Sequence, residues 1–325
     1  MQPLRIVSYN VRYFGHATRG LASTGAAMRR IAEALAALDP LPGIVCLQEV
    51  ETRSLRSTVA HRGSATQLER FMQMLSIALA ESKKPDLYDA YYFPAHAYRL
   101  SAATHVYTTG LAILAHADFA VDHHNAEMPH DITHRRLHIV RRFKQTRICA
   151  HARFRSRAER GFEPIDVFNT HLSLPSALAR EFWTQPRRLG FGQNQLEEAK
   201  NLVRFVERER KSDRFVVVGD FNAIPGSPVY GYLVDDHGWK DAFAQRYRMS
   251  PSEMERWPTA GFMQLRMHLD HVFTGGGLRW LDFDDTHPFG DRTALFHGLS
   301  DHMPMVARCR VAVAGGLAPP VAAAP

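Results

Sequence analysis

Polar side chains able to do chemistry recur at the ends of short apolar runs in this sequence. Asn10 closes RIVSYN, Glu49 follows IVCLQ, His171 follows VFNT, and Asp220 and Asn222 follow VVVG. Asp270 lies within MHLDHVF, and Asp301 and His302 follow GLS just before Met303-Pro304. One carboxylate after a buried strand is most often a cap or turn residue. The same placement repeated along the chain, together with two histidines, points elsewhere, because loops at strand ends are where α/β scaffolds carry active sites. The residue types also fit one reaction. Carboxylates and Asn, without a set of thiolates, suit Mg²⁺ or Mn²⁺, which prefer oxygen ligands. Hydrolysing a phosphate ester needs charge neutralised on the phosphoryl oxygens, an activated water in line, and help for the leaving oxygen. A carboxylate-held metal, an Asp base and His donors would supply those parts.

The elements that must position these residues alternate between strand and helix from end to end. Strands are expected at Leu4–Asn10, Ile44–Leu47, Tyr88–Phe93, Thr104–Tyr107, Leu111–Leu114, Phe215–Val218, His268–Phe273 and Met303–Val313. Ile148–Phe154 and Ile165–Thr170 read as a hairpin around Gly161 and Pro164. Met28, Ile31, Leu35 and Leu38 repeat at helical spacing over Ala26–Leu38, and Asp39-Pro40 stops that helix. Gln67–Ala80 reads as a second helix. Gln193–Arg210 is a long amphipathic one with Leu196, Ala199, Leu202, Val203 and Val206 on one side. No linker or internal repeat divides the chain, so one α/β domain over 1–313 is expected, with an Ala/Pro/Gly tail at 314–325.

The motifs, in order, are SYNVRYF, LQEV, GLAIL, NTHLS, GDFNAIPGS, LDHVF and GLSDHMPM. In this combination they resemble the endonuclease/exonuclease/phosphatase superfamily, also called DNase I-like, from about Arg5 to Arg310. The resemblance implies a two-sheet α/β sandwich flanked by helices, four layers in all, with the site at one edge of the sheets. It implies Glu49 as principal metal ligand, Asn10 beside it, and Asp301 close enough to share or position the metal. Asp220 resembles the residue that orients or deprotonates the attacking water, and Asn222 would hold that water or a phosphate oxygen. His302 resembles the phosphate-contacting histidine and Asp270 the carboxylate behind it, an arrangement that favours a cationic oxyanion stabiliser. His171 would donate to the phosphate from another side. Tyr107 is placed near the site by a looser alignment, and Gln193 or Gln195 more loosely still.

The superfamily includes nucleases, abasic-site endonucleases, sphingomyelinases, inositol-polyphosphate phosphatases and deadenylases, and the core motifs do not separate them. Met267–His271 departs from the Arg-Ile-Asp-Tyr-type motif of the abasic-site branch, although Gly238–Phe243 resembles a segment found there and in other branches. The elaborate signatures of the inositol phosphatases are missing. The expectation is a Mg²⁺-dependent (or Mn²⁺-dependent) phosphodiesterase acting on nucleic acid. A sphingomyelinase-like phospholipid phosphodiesterase or a small-molecule phosphatase is the alternative, and a non-catalytic nucleic-acid-binding module ranks lower.

Charge supports nucleic acid only if it faces the site. The 325 residues carry 40 Lys+Arg against 33 Asp+Glu, a net +7. Residues 135–160 hold ten basic residues with Glu159 as the single acid, a net +9, so the rest of the chain is slightly acidic. Period-two alternation over Arg147–Arg155 implies a strand with an apolar inner face and a basic outer one, carrying Arg147, His151, Arg153 and Arg155. Arg147 and Arg153 are candidate phosphate contacts; a solvated edge strand guarded by charge is the plainer reading.

Other features invite less. His271 is expected to be structural, Cys46 to be core packing, and Asp282, Asp284 and Asp285 a solvated loop. His130, His134 and His138 would make a zinc face on a helix, but they follow Pro129 and irregular chain is favoured. His123 and His124 read as solvated loop residues. Three cysteines make no disulfide framework, the N-terminus reads as a strand rather than a signal peptide, and no apolar run approaches a membrane span. A cytoplasmic protein with no evident protein partner is therefore expected.

Overall fold

The computed structural model describes residues 4–14, 23–54, 66–85, 87–99, 105–134, 146–158, 162–174, 189–262, 265–283, 289, 292 and 294–311. Strand β1 (Leu4–Asn10) shows how the sequence sets the layers. Leu4 and Ile6 face one core while Val7 and Tyr9 face another, as the two-residue period of a strand requires. Because both faces are covered, β1 is buried along its whole length and reads as a continuous apolar run.

β1 pairs in parallel with β2 (Ile44–Ser54). The first sheet also contains β3 (Tyr88–Arg99), β4 (His105–His116), β14 (Leu278–Phe283) and β15 (Met305–Val311), in the order β14-β15-β1-β2-β4-β3. The second sheet contains β5 (Phe119–His124), β7 (Ile148–Ser156), β8 (Ile165–His171), β9 (Phe215–Asp220), β10 (Lys240–Asp241) and β13 (Asp270–Thr274), ordered β10-β13-β9-β8-β7-β5. The two-residue β6 (His130–Asp131) pairs with β7, and β11 (Ala260–Phe262) and β12 (Leu265–Met267) form a small separate hairpin.

Between the sheets, Ile6, Ile44, Cys46 and Ile113 pack against Ala150, Val167, Val216 and Val272. Helices α1 (Ser23–Ala37) and α2 (Gln67–Glu81) cover the outer face of the first sheet through Ile31, Leu35, Phe71 and Leu75. Helix α3 (Gln193–Glu209) covers the second through Ala199, Leu202, Val203, Phe205 and Val206. Each fully buried Ile, Leu or Phe on these faces stabilises by about 1.5–3 kcal/mol. The result is the expected four-layer α/β sandwich. α2 starts at a capping box: the Glu69 backbone N–H donates to Thr66 Oγ1 at 3.2 Å while the Glu69 carboxylate accepts the Thr66 N–H. Among the described residues, no helix is long and apolar enough to cross a membrane.

Several expectations are corrected. The strand expected at Ile44–Leu47 continues to Ser54 because its register against β4 shifts after Leu47. His105–Tyr107 and Leu111–Leu114 belong to one strand, with Thr104 outside the described residues: Gly110 continues it, where a Cβ would meet the Phe93 carbonyl at 2.2 Å. His123 and His124 lie in a strand rather than a loop, and Asp282 sits in β14, paired with Arg308 and Tyr247. His130 is in a short strand and stacks on Phe205, so no helical zinc face forms there; His138 lies outside the described residues. The outer face of β7 is also not a free basic surface. His151 is fully buried, Arg153 pairs with Asp166, and Arg155 pairs with Asp122. Residues 135–145 and the tail at 314–325 lie outside the described residues.

Candidate active site

The expected residues meet where β1, β8 and β9 end, beside the register shift within β2 and the start of β13. Asn10 is the last residue of β1 and lies in register with Gln48 of β2. Its Oδ1 accepts the Arg12 backbone N–H at 3.0 Å, which fixes the direction of the amide. Its Nδ2 then donates to Asp220 Oδ2 at 3.0 Å and reaches Glu49 Oε1 at 3.3 Å. Glu49 sits at the register shift in β2 with φ 54°. That left-handed conformation is costly for a residue with a Cβ, and the bulge turns the side chain toward the neighbouring sheet. After Asn10 the chain makes a left-handed turn, with φ 42° at Arg12, 56° at Tyr13 and 51° at Phe14. This turn brings Arg12 into an ion pair with Asp301.

In the second sheet, His171 lies opposite Asp220, and Asp220 opposite Asp270. His171 Nε2 is 3.5 Å from Asp220 Oδ2 and 3.8 Å from Glu49 Oε1. Asp220 Oδ1 accepts the Asn222 N–H at 2.9 Å. Asn222, at φ 48°, donates its side-chain amide to the Leu172 carbonyl at 2.9 Å and so ties the end of β8 to the turn after β9. Gln195 Nε2 donates to the Asn222 carbonyl at 2.8 Å, anchoring that turn to the first turn of α3.

His302 completes the group. Its Nδ1 is 2.8 Å from Asp270 Oδ2, which leaves Nε2 directed toward Asp220 Oδ2 at 3.7 Å. Thr259, just before β11, holds Asp270 from behind: its hydroxyl donates to Oδ2 at 2.7 Å and accepts the Asp270 and Leu269 N–H groups at 3.0 Å. Ser300 Oγ donates to the Asn10 carbonyl at 2.8 Å, locking the chain before His302 onto the end of β1.

Burial and neighbouring charges push these groups apart. Burial raises the Asp220 carboxyl to about 7, against the opposing pull of His302. Burial also raises Glu49, with the Asn10 amide pulling the other way. Burial alone would lower His302, but Asp270 and Asp220 outweigh it and bring the imidazolium up to about 10. His171 falls well below its ordinary value through burial and the nearby cations Arg147 and His302. The site thus places a cationic histidine and a neutral one on either side of a carboxylate that titrates near neutrality.

A hard divalent cation suits this donor set. Glu49 presents a carboxylate oxygen to the site, with the Asn10 amide at 3.3 Å and His171 Nε2 at 3.8 Å. Asp270 Oδ1 is buried without a hydrogen-bond partner. Asn10 and Asp301, expected beside Glu49 as ligands, also make contacts within the chain. Asn10 turns an N–H toward the carboxylates, and Asp301 accepts from the Arg12 guanidinium through Oδ2.

Arg147 lines a small cavity beside the site with Glu49, Thr109, Gly110 and His171, and its Nε donates to Ser173 Oγ at 3.3 Å. Arg153 is elsewhere. Its Nε is 2.8 Å from Asp166 Oδ1 and its Nη2 donates to the Glu209 carbonyl, on the α3 side of β7. Tyr107 lies in β4, but its side chain is outside the described residues. His271 is structural, with its ring nitrogens 2.9 Å from Asp241 Oδ2 and from the Ala223 carbonyl. Of the two glutamines, Gln195 reaches the site and does so by supporting Asn222. Arg12, Thr259 and Ser300 were not expected. Arg12 and Ser300 stand within recognised motifs and carried that signal. Thr259 comes from a hairpin with no motif, so nothing in the sequence marks it.

The model of the Endonuclease/Exonuclease/phosphatase family matches residues 7–302. No curated protein matches the chain significantly. Solved structures with a similar fold include the human Nocturnin catalytic domain with bound sulfate, at 16% identity and TM-score 0.61, over 96% of this chain and 94% of that one. An endonuclease/exonuclease/phosphatase from Bacteroides vulgatus aligns at 17% identity and TM-score 0.59, over 96% and 100%. ANGEL2, a 2′,3′-cyclic phosphatase in complex with adenosine-2′,3′-vanadate, aligns at 16% identity and TM-score 0.60, over 95% and 96%. At these identities the structures establish the fold, while the family match spans nearly the whole chain. The chain belongs to the endonuclease/exonuclease/phosphatase family, whose members are phosphoesterase hydrolases.

Proposed function

We propose that this protein is a Mg²⁺-dependent phosphodiesterase that cleaves nucleic acid, DNA or RNA, by in-line attack of water. The observation that carries the reading is the line Asp270–His302–Asp220, with Glu49 and His171 on the far side of Asp220. Glu49 would hold the cation, which when bound polarises the phosphoryl oxygens. Asp220, kept in place by Asn10 and the Asn222 N–H, accepts the proton of the attacking water. His302 donates from Nε2 to a phosphoryl oxygen, and Asp270 keeps its proton on the ring. Neutral His171 donates a hydrogen bond from the opposite side. Arg147, facing the cavity beside Glu49, meets a flanking phosphate.

Nucleic acid is favoured over lipid on two grounds. Arg147 offers a guanidinium at the rim, and fold relatives include one holding an adenosine phosphate mimic and another holding a sulfate. The test is turnover of plasmid, single-stranded, abasic-site and RNA substrates with Mg²⁺, Mn²⁺ or EDTA. Metal-dependent cleavage of at least one nucleic acid is expected. Hydrolysis of sphingomyelin, with none of the nucleic acids cut, would overturn the substrate assignment.

A further inference from the structure

We propose a second cation site, formed by His123, His151 and Glu209 on the outer face of the second sheet, that takes a divalent transition ion of the zinc class. The three residues come from different elements. His151 faces outward from β7, on the same parity as Cys149 and opposite to Ala150 and Ala152 of the inter-sheet core. His123 belongs to edge strand β5, where the register against β7 shifts between Val121 and His123. Val121 packs on the inner core, whereas past the shift His123 turns outward and its ring lies 5.3 Å from that of His151. Glu209 is the last residue of α3. Ligand atoms from all three lie within 4.8 Å of one another.

His151 is built as a ligand. Its Nε2 is 2.8 Å from Asp166 Oδ1, and Asp166 also accepts from Arg153 Nε at 2.8 Å and from the Lys211 N–H at 3.0 Å. A carboxylate so supplied with donors acts as an acceptor, which assigns the His151 ring proton to Nε2 and leaves a lone pair on Nδ1. That Nδ1 is buried without a hydrogen-bond partner, in a side chain with no exposed surface. Such an orphan is costly, and a bound ion accounts for it. Phe168 clamps the ring, stacked at 4.4 Å and 8°. Two imidazoles and one carboxylate suit Zn²⁺ and its neighbours better than Mg²⁺ or Ca²⁺. The carbonyl end of a 17-residue helix adds negative potential. Against the cation stand Arg208, bonded to Glu209 Oε1 at 2.8 Å, and Arg153, already engaged by Asp166 and the Glu209 carbonyl. The catalytic centre is separate: His171 lies three residues beyond Phe168 on β8, about 10 Å along the strand.

The experiment is calorimetric titration of the full chain with Zn²⁺ in excess Mg²⁺, paired with melting temperature with and without Zn²⁺. The variants are His123→Ala, Glu209→Gln and, as the catalytic-site control, Glu49→Gln. His123 is exposed and Glu209 half-buried at a helix end, so neither substitution threatens the core. The wild type and the Glu49→Gln variant should each show a Zn²⁺ site and a Zn²⁺-dependent rise in melting temperature. The His123→Ala variant should lose that rise and bind at least about tenfold more weakly, with Glu209→Gln also weakened. Zn²⁺ binding by the His123→Ala variant equal to wild type, or binding lost only in the Glu49→Gln variant, would overturn the proposal.

Discussion

At the scale of single residues, the proposed reaction depends on Asp220 and His302 holding opposite protonation states at one pH. Asp220 must be deprotonated to accept a proton, and burial raises it to about 7, so turnover rises as pH climbs through that value. A bound cation stabilises the carboxylate and moves this limb lower. His302 must be protonated to donate, and its carboxylate neighbours hold it up to about 10, so turnover falls as pH passes that value. A bell-shaped profile of kcat/KM is expected. Asp270→Asn should move the alkaline limb to lower pH, because it removes the charge behind Nδ1 while keeping a hydrogen-bonding amide. An alkaline limb that stays put in this variant would remove His302 from the role of acid. Asp220→Ala should cost about 10²–10⁴-fold in kcat/KM with substrate binding largely kept. Glu49→Gln should lose activity that higher Mg²⁺ partly restores. His171 and Asp220 were legible because each ends an apolar strand within a motif, and Glu49, Asp270 and His302 because they stand within motifs. The contacts that Asn10 and Asp301 make within the chain were not. An amide direction set by the Arg12 N–H, and a carboxylate paired with the Arg12 guanidinium, exist only once the turn after β1 has formed.

At the scale of elements, the site depends on how two strands end side by side. β8 and β9 run parallel, and Gly219 lies against Thr170 one residue before the pair His171 and Asp220, which carry proposed roles. Its φ is +148°, and a Cβ there would stand 1.9 Å from the Thr170 carbonyl oxygen. Backbone cannot yield as a side-chain tip can, so Gly219→Ala must pry the strands apart or twist β9. A loss of at least about 2 kcal/mol by denaturant unfolding is expected, with a fall in kcat because Asp220 moves relative to His171. Wild-type stability and turnover in that variant would mean the strands do not meet as described. The glycine was visible in VVVGD, but its necessity comes from a partner strand distant in sequence. The same reason explains β5. Phe119 and Val121 pack on the inner core, but at the bulge Asp122 and His123 come to share the outer face, so no period-two signal runs through the strand. The long apolar strands β1 and β9 suffered no such interruption, so their type and ends were readable from sequence.

At the scale of the whole molecule, the net charge of +7 is a poor guide to where a polyanion would lie. Within the basic stretch at 135–160, the described arginines divide. Arg153 and Arg155 face away from the site and are balanced by Asp166 and Asp122, whereas Arg147 points into the cavity shared by Glu49 and His171. A relay holds it there: its Nε donates to Ser173 Oγ, which donates to Glu198 of α3 at 2.8 Å. The helix layer thus fixes a cation at the rim of a site whose carboxylates would otherwise repel phosphates. For a nucleic-acid substrate, each phosphate contacted releases counterions, and affinity falls with salt in proportion to the contacts made. Arg147→Ala should therefore raise KM more than it lowers kcat. It should also reduce the slope of log affinity against log salt by about one contact. Arg155→Ala, which removes an exposed arginine already paired with Asp122, should change neither. Measuring KM for a short single-stranded substrate across a salt series, in both variants, separates a local contact from bulk charge. Equal slopes in the wild type and the Arg147→Ala variant would assign the salt dependence to residues other than Arg147. A lower slope in Arg147→Ala alone would make the orientation of one side chain, held by α3, the means by which the positive charge acts.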